Sequence, residues 1–214
     1  MKMNFTRSFL TLTVLVTVFS SCQKEVDLQN SNNGNNGGNT AGIVGNYDFV
    51  GLSASTVSTV VTGSGIDEEK AVTRSSYSST NNVGTVAITA TQFNTTGIGY
   101  SISGIAYTDF YIGNVLFTSL DFPFDFVLPP TNGSSNYRMI TNDSIYFDNG
   151  FISYDPTGSG NPTATLPTGA RLSWSADTLL MKTSATMTST QDIGGGVMAR
   201  ITNQATQIVK MKKK

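Results

Sequence analysis

The chain of 214 residues contains no histidine, one cysteine, six prolines, and only 13 basic and 14 acidic side chains. Without histidine there is no Ser-His-Asp or Cys-His machinery, no histidine zinc site and no histidine-ligated haem. A lone cysteine forms no intrachain disulfide and no multi-cysteine metal site. The sequence also lacks a nucleophile motif and a phosphate-binding loop, so it assigns no catalytic residue, no metal and no cofactor, and reads as a non-enzyme. Charge is equally uninformative about partners. Beyond residue 21, which removes Lys2 and Arg7, 11 basic side chains face 14 acidic ones. A net charge of −3, spread along the chain, excludes nucleic acid as the expected partner.

What fills the space instead is hydroxyl and amide. There are 54 serines and threonines, 21 glycines and 18 asparagines, a composition of exported proteins that favours β structure. One stretch stands apart. Lys2 and Arg7 precede an apolar run over residues 9–19, followed by Ser20, Ser21 and Cys22. A positive segment, a short apolar segment and small residues make a signal peptide over residues 1–21. Its eleven apolar-run residues rise about 16 Å as a helix, roughly half a bilayer core, so it is not a permanent span.

The run Phe19-Ser20-Ser21-Cys22 resembles the lipobox of bacterial lipoproteins, with Phe19 where leucine is usual. That resemblance implies acyl chains such as palmitate on Cys22, which becomes the mature N-terminus and anchors the protein in a membrane. Gln23, Lys24, Glu25 and Asp27 follow, and are similar to the short Lys-plus-acid signal of Bacteroidetes lipoproteins. The location this implies is the outer membrane, facing the cell exterior. Residues 31–40 hold five asparagines, three glycines, one serine and one threonine, too polar to bury a core. Residues 22–42 therefore read as a lipidated flexible tether with a typical reach of about 25 Å.

From residue 43 to 212 the periodicity is two. Val86 and Ile88, then Ile98, Tyr100 and Ile102, then Leu172 and Trp174, then Val209 and Met211 alternate with small polar or basic residues. That is the pattern of half-buried strands. Turn signals separate them: Gly63-Ser64-Gly65, Asn81-Asn82, Asn132-Gly133, Asn142-Asp143, Asp148-Asn149-Gly150, Asp155-Pro156 and Gly194-Gly195-Gly196. Eight to ten strands fit, and ring closure removes exposed edges, so the expectation is an all-β domain forming a single antiparallel β-barrel. A β-sandwich of immunoglobulin type is the alternative. Gly45-Asn46-Tyr47 near the domain start and a basic final strand resemble lipocalin-like lipoproteins, with Tyr47 in place of the usual tryptophan. The resemblance implies an up-and-down barrel with Gly45 on its first strand. Thr108-Asp109-Phe110 is similar to the lipocalin Thr-Asp-Tyr turn, although it follows Gly45 closely.

Phe122, Phe124 and Phe126 alternate with Asp121, Pro123 and Asp125, which sets three rings on one face. Pro123 donates no ladder hydrogen bond, so this is an edge strand or a bulged loop. With Tyr107, Phe110 and Tyr111 nearby, and Phe117 close enough to enlarge the cluster, these rings are the candidate lining for a small apolar ligand, a strip for a partner protein, or ordinary core. Asp67, Glu68 and Glu69 lack the alternating spacing of a calcium loop and read as a solvated turn. Asp143-Ser144-Ile145 and Asp177-Thr178-Leu179 match the Asp-Ser/Thr-aliphatic pattern of Bacteroidetes O-glycosylation at Ser144 and Thr178, or else Asx turns opening strands. The terminal lysines 210, 212, 213 and 214 read as a fraying, solubilising strand end or as a contact with anionic headgroups. The expected function is a non-catalytic cell-envelope lipoprotein that binds a small apolar ligand or a partner of a surface complex. A structural or adhesive surface module is the alternative.

Overall fold

A computed structural model describes residues 42–64, 67–148, 168–194 and 196–214. The signal peptide, Cys22 and the tether up to residue 41 lie outside the described residues, as do Gly65, Asn149, Gly150, Asp155, Pro156 and Gly195 of the turn signals. The described residues form nine strands: β1 (Gly45–Thr62), β2 (Glu69–Ser78), β3 (Thr80–Ile88), β4 (Gln92–Ile112), β5 (Val115–Thr141), β6 (Ser144–Phe147), β7 (Thr168–Ser175), β8 (Thr178–Asp192) and β9 (Met198–Lys213). All belong to one sheet, every pairing is antiparallel, and β1 hydrogen-bonds to β9 so that the strands ring round. The domain is all-β and barrel-like, in chain order, as the alternation of small polar and apolar residues predicts.

The ring has two storeys. In the lower one β1, β3, β4, β5, β6, β7, β8 and β9 follow one another and close. Its interior is filled by side chains. Tyr47, Phe93, Phe147, Ile145, Leu179, Met181, Met211 and Val86 are each at most 2% exposed. Phe93 meets Tyr137 and Phe147 edge-on, with ring centroids 4.9 and 5.2 Å away. Each such ring contributes roughly 1.5–3 kcal/mol by leaving water. The two buried phenols keep hydrogen bonds: Tyr47 donates to the Ile43 carbonyl (2.7 Å) and Tyr137 to that of Thr89 (2.7 Å).

Among the described residues, long strands then leave the ring and continue as an open extension, because β6 and β7 are short. Here β2 replaces β3 between β1 and β4, and the order is β8, β9, β1, β2, β4, β5. A belt of bulges marks the change of storey, at Phe49/Gly51 on β1, Thr80 to Thr85 on β3, and Thr95 to Tyr100 on β4 against β5. Bulges bend a sheet and increase its twist. Two of the predicted turns are part of this belt. Asn81-Asn82 lies within β3, where Asn81 has φ 52° and the Asn82 amide donates to the Val50 carbonyl (3.1 Å). Asn132-Gly133 lies within β5, where the Asn132 side chain accepts the Gly97 N–H (2.8 Å). Asparagine satisfies a displaced backbone group as readily in a bulge as in a turn.

Two more expectations are corrected. Thr108-Asp109-Phe110 lies inside β4, towards its end, and makes no turn. The terminal lysines do not fray: β9 is paired on both sides, Lys213 N–H bonds to the Asp177 carbonyl, and Lys214 N–H to that of Asn46. Lys212 and Lys214 form ion pairs with Asp177 and Asp48 at 3.4 and 2.9 Å.

Candidate functional site

Residues directly opposite in antiparallel strands share a face, so the register assigns the candidate rings. Phe122, Phe124 and Phe126 stand opposite Ala106, Gly104 and Ile102, and Phe110 opposite Ala71 and Thr118. These four belong to the face continuous with the ring interior. Phe124 meets Tyr77 edge-on at 5.7 Å, and Phe126 lies 6.3 Å from Tyr100, and both tyrosines pack on the core. All four phenylalanines are half-buried. Tyr107 and Tyr111 stand opposite Arg74 and Lys70, on the outer face. The structure therefore divides the six candidates between the two faces of the extension.

On the outer face Tyr111 joins a polar network. Asp109 accepts hydrogen bonds from the Ser119 hydroxyl and from Arg74 Nη1, each at 2.7 Å, while Lys70 Nζ sits 4.6 Å from the centre of the Tyr111 ring. The Ser119 hydroxyl first, and then Arg74, hold the Asp109 carboxyl below the usual carboxylate range. Arg74 is raised in turn, chiefly by its hydrogen bond to Asp109. The network is exposed, so it organises a surface and adds little stability.

The largest apolar exposure among the described residues lies on the β4–β5 hairpin and is shared by both faces, with Ile112, Val115 and Leu120 on the inner one and Leu116 opposite Tyr111 on the outer one. Ile112 and Val115 flank the two-residue loop Gly113-Asn114, with Gly113 at φ 58° as such loops require. Val115 is 72% exposed, Phe117 64% and Val127 66%; Ile112, Leu116 and Leu120 are each about half exposed. Monomeric proteins rarely gather so many exposed apolar side chains on one element without a use for them. Sequence reasoning missed Ile112, Val115, Leu116 and Leu120. The available signal was the Gly-Asn pair between hydrophobic residues, which marks a hairpin tip.

Over residues 115–136, β5 is hydrogen-bonded among the described residues to β4 alone, and takes up β6 only from Tyr137 onward. Pro123 thus lies in an edge strand, as its missing N–H requires. A second feature of the outer face, an open depression of about 380 Å³ lined by Ser55, Val57, Ser184, Thr186, Gln204 and Thr206 among others, contains none of the candidate residues.

Ser144 and Thr178 open β6 and β8, both neighbours of β7, at the end of the ring where Tyr47 is buried. Each follows an aspartate that is tied into its turn. Thr141 donates to Asp143 (2.6 Å), and Thr178 lies 3.3 Å from its own neighbour Asp177. The acidic Asp67 and Glu69 are exposed in and beside the β1–β2 connection. Comparison with protein-family models, with curated proteins and with solved structures finds no match for this chain.

Proposed function

We propose that the chain is a lipid-anchored, non-catalytic lipoprotein of the outer membrane, acylated on Cys22, whose β domain docks a partner of a surface complex. One observation carries the docking half: Ile112, Val115, Leu116, Phe117 and Leu120 are exposed together on one hairpin. The filled lower ring supports it too, since its buried rings leave the extension as the part free for recognition. The chain-order ring, with Gly45 and Tyr47 opening its first strand, supports the lipocalin-like reading of the fold. The anchor rests on Lys2, Arg7, the apolar run and Ser20-Ser21-Cys22.

A second reading has its own observation. Phe110, Phe122, Phe124 and Phe126 are half-buried on the inner face above the core, which suits a small apolar ligand. One comparison separates the two. Native gel migration of the detergent-extracted protein is measured for the wild type and for Leu116→Ser/Phe117→Ser, alongside mass spectrometry of solvent extracts from both. Docking predicts a complex in the wild type that the double variant loses. A monomer in both, with a small apolar molecule recovered, overturns docking in favour of ligand binding. Cys22→Ala tests the anchor, with an uncleaved precursor lacking fatty acid as the expected product.

A further inference from the structure

The free side of β5 has a chemistry of its own. A proline fits a ladder only where its nitrogen faces away from the neighbouring strand, and Pro123 stands opposite Ile105 of β4. Antiparallel pairing alternates inward and outward backbone groups, so Asp121, Asp125 and Val127 direct N–H and C=O to the open side, and Pro123 its C=O. Side chains alternate across the same edge. Asp121, Pro123, Asp125 and Val127 share the outer face and are exposed, while Leu120, Phe122, Phe124 and Phe126 share the inner one. Among the described residues the edge therefore offers unpaired backbone groups, two carboxylates on one face and an apolar row on the other, over about 30 Å of strand.

We propose that residues 119–127 of β5 take up an extended segment of a partner protein whose residues alternate basic and apolar. Main-chain bonds to the open edge supply the pairing. The basic side chains meet Asp121 and Asp125, and the apolar ones extend the row from Leu120 to Phe124. This rests on the docking reading and names the partner's chemistry.

A second copy of the chain fits the edge poorly. Two β5 strands paired antiparallel about Pro123 set Asp121 of each against Asp125 of the other, and like charges directly opposite are destabilising. The other edge left open among the described residues, on β8, reads Thr183-Ser184-Ala185-Thr186-Met187-Thr188-Ser189-Thr190-Gln191-Asp192, and offers no cation to either aspartate.

The test uses the full chain in detergent and synthetic ten-residue probes in fluorescence anisotropy, one alternating lysine and valine, the other glutamate and valine. The lysine probe is expected to bind at least about tenfold more tightly, the worth of about 1.4 kcal/mol, and to slow hydrogen exchange in residues 119–127. Asp121→Lys/Asp125→Lys should reverse the preference. Asp125→Pro, which removes one outward N–H from an exposed position, should weaken both probes with the melting temperature unchanged. Equal binding of the lysine probe to wild type and double-lysine variant overturns the proposal. So does binding without protection of residues 119–127, absence of binding at about 1 mM probe, or protection that grows with protein concentration in the absence of probe. If the native complex vanishes with Leu116→Ser/Phe117→Ser yet is untouched by Asp121→Lys/Asp125→Lys, docking at the hairpin stands and strand addition at the edge falls.

Discussion

Below the belt of bulges the strands close on a packed interior; above it five of the same strands, joined by β2, stay open among the described residues and carry exposed apolar and charged side chains. β1, β4, β5, β8 and β9 run through both storeys. The difference is made by what fills the inner face. In the ring that face holds Tyr47, Phe49, Phe93, Phe147, Met181 and Met211, large side chains that reach one another across the interior. In the extension a single row across the six strands reads Phe122, Ala106, Ser75, Thr56, Ala205 and Ala185. In this row one ring and five small residues provide little apolar volume, and bulk returns only towards the far end of β9, where Ala199 and Ile201 are buried on the same face. Closure therefore depends on side-chain bulk as well as on hydrogen bonding, and the extension is left as the surface on which recognition is built.

The largest effect expected from this comparison is a contrast between two phenylalanines. Phe93→Ala, in the ring, removes a side chain 1% exposed that contacts both Tyr137 and Phe147, and should cost about 3–5 kcal/mol. Phe122→Ala, half-buried in the extension, should cost roughly 1 kcal/mol, because much of its surface never leaves water. Urea denaturation of the two variants measures both. Equal losses would mean that the extension is packed as firmly as the ring, and the distinction between storeys would fail.

The belt itself gives a sharper pair. Gly84 has φ +104°, and a Cβ placed there would lie 2.5 Å from the Gly97 carbonyl oxygen and 2.7 Å from the Ile98 Cα. Both obstacles are backbone, so Gly84→Ala must push β3 and β4 apart, at about 2–3 kcal/mol. Gly97, directly across, has φ +60°, and a methyl added there would meet nothing within 4 Å, so Gly97→Ala should cost only the left-handed conformation, about 1–2 kcal/mol. A larger fall in melting temperature for Gly84→Ala than for Gly97→Ala is the expected order. The reverse order would show that the strands do not approach closely at the bulge.

Much of this architecture is legible in the chain, for reasons that can be named. Val209 and Met211 against Lys210 and Lys212 carry the period of β9, and those residues are buried and outward-facing in that order. Pro123 announces an edge because a missing N–H is a local fact, independent of what lies elsewhere. The bulges at Asn81-Asn82 and Asn132-Gly133 look like turns in the sequence because the residues that bend a strand are those that reverse it, and only the partners Val50 and Gly97 decide between the two. The strip of phenylalanines is visible as one face, but its separation from Tyr107 and Tyr111 depends on the register of β4 against β2 and β5. The network of Arg74, Asp109 and Ser119 joins three strands and leaves no trace in local spacing.

The smallest effects separate the storeys by pH. In the ring, burial raises the Tyr47 and Tyr137 hydroxyls above the ordinary tyrosine value, with the charge of Tyr137 adding to the shift at Tyr47. A raised pKa on an acid means that the neutral form is favoured in the fold. Its stabilising contribution is complete below the unfolded value near 10 and is lost as pH rises through the folded one. Tyr47→Phe should therefore flatten the alkaline loss of stability, while giving up the bond to the Ile43 carbonyl, worth about 1 kcal/mol, at neutral pH. In the extension the sign is opposite. Asp109 is held low by Ser119 and then by Arg74, so its contribution is present above the ordinary carboxylate range and is lost as pH falls through the lowered value. That carboxylate is exposed, and the stability change should be hard to detect, but the titration itself is not. Following the Asp109 carboxyl carbon by NMR, Ser119→Ala and Arg74→Ala should each move the midpoint upward, the first by removing the largest single cause and the second by removing a hydrogen bond and a charge, of which the charge part fades with added salt. A midpoint that ignores both substitutions would mean that the outer face is not organised around Asp109. One that responds to Arg74 alone would mean that charge, and not the hydroxyl bond across β4 and β5, sets its affinity for the proton.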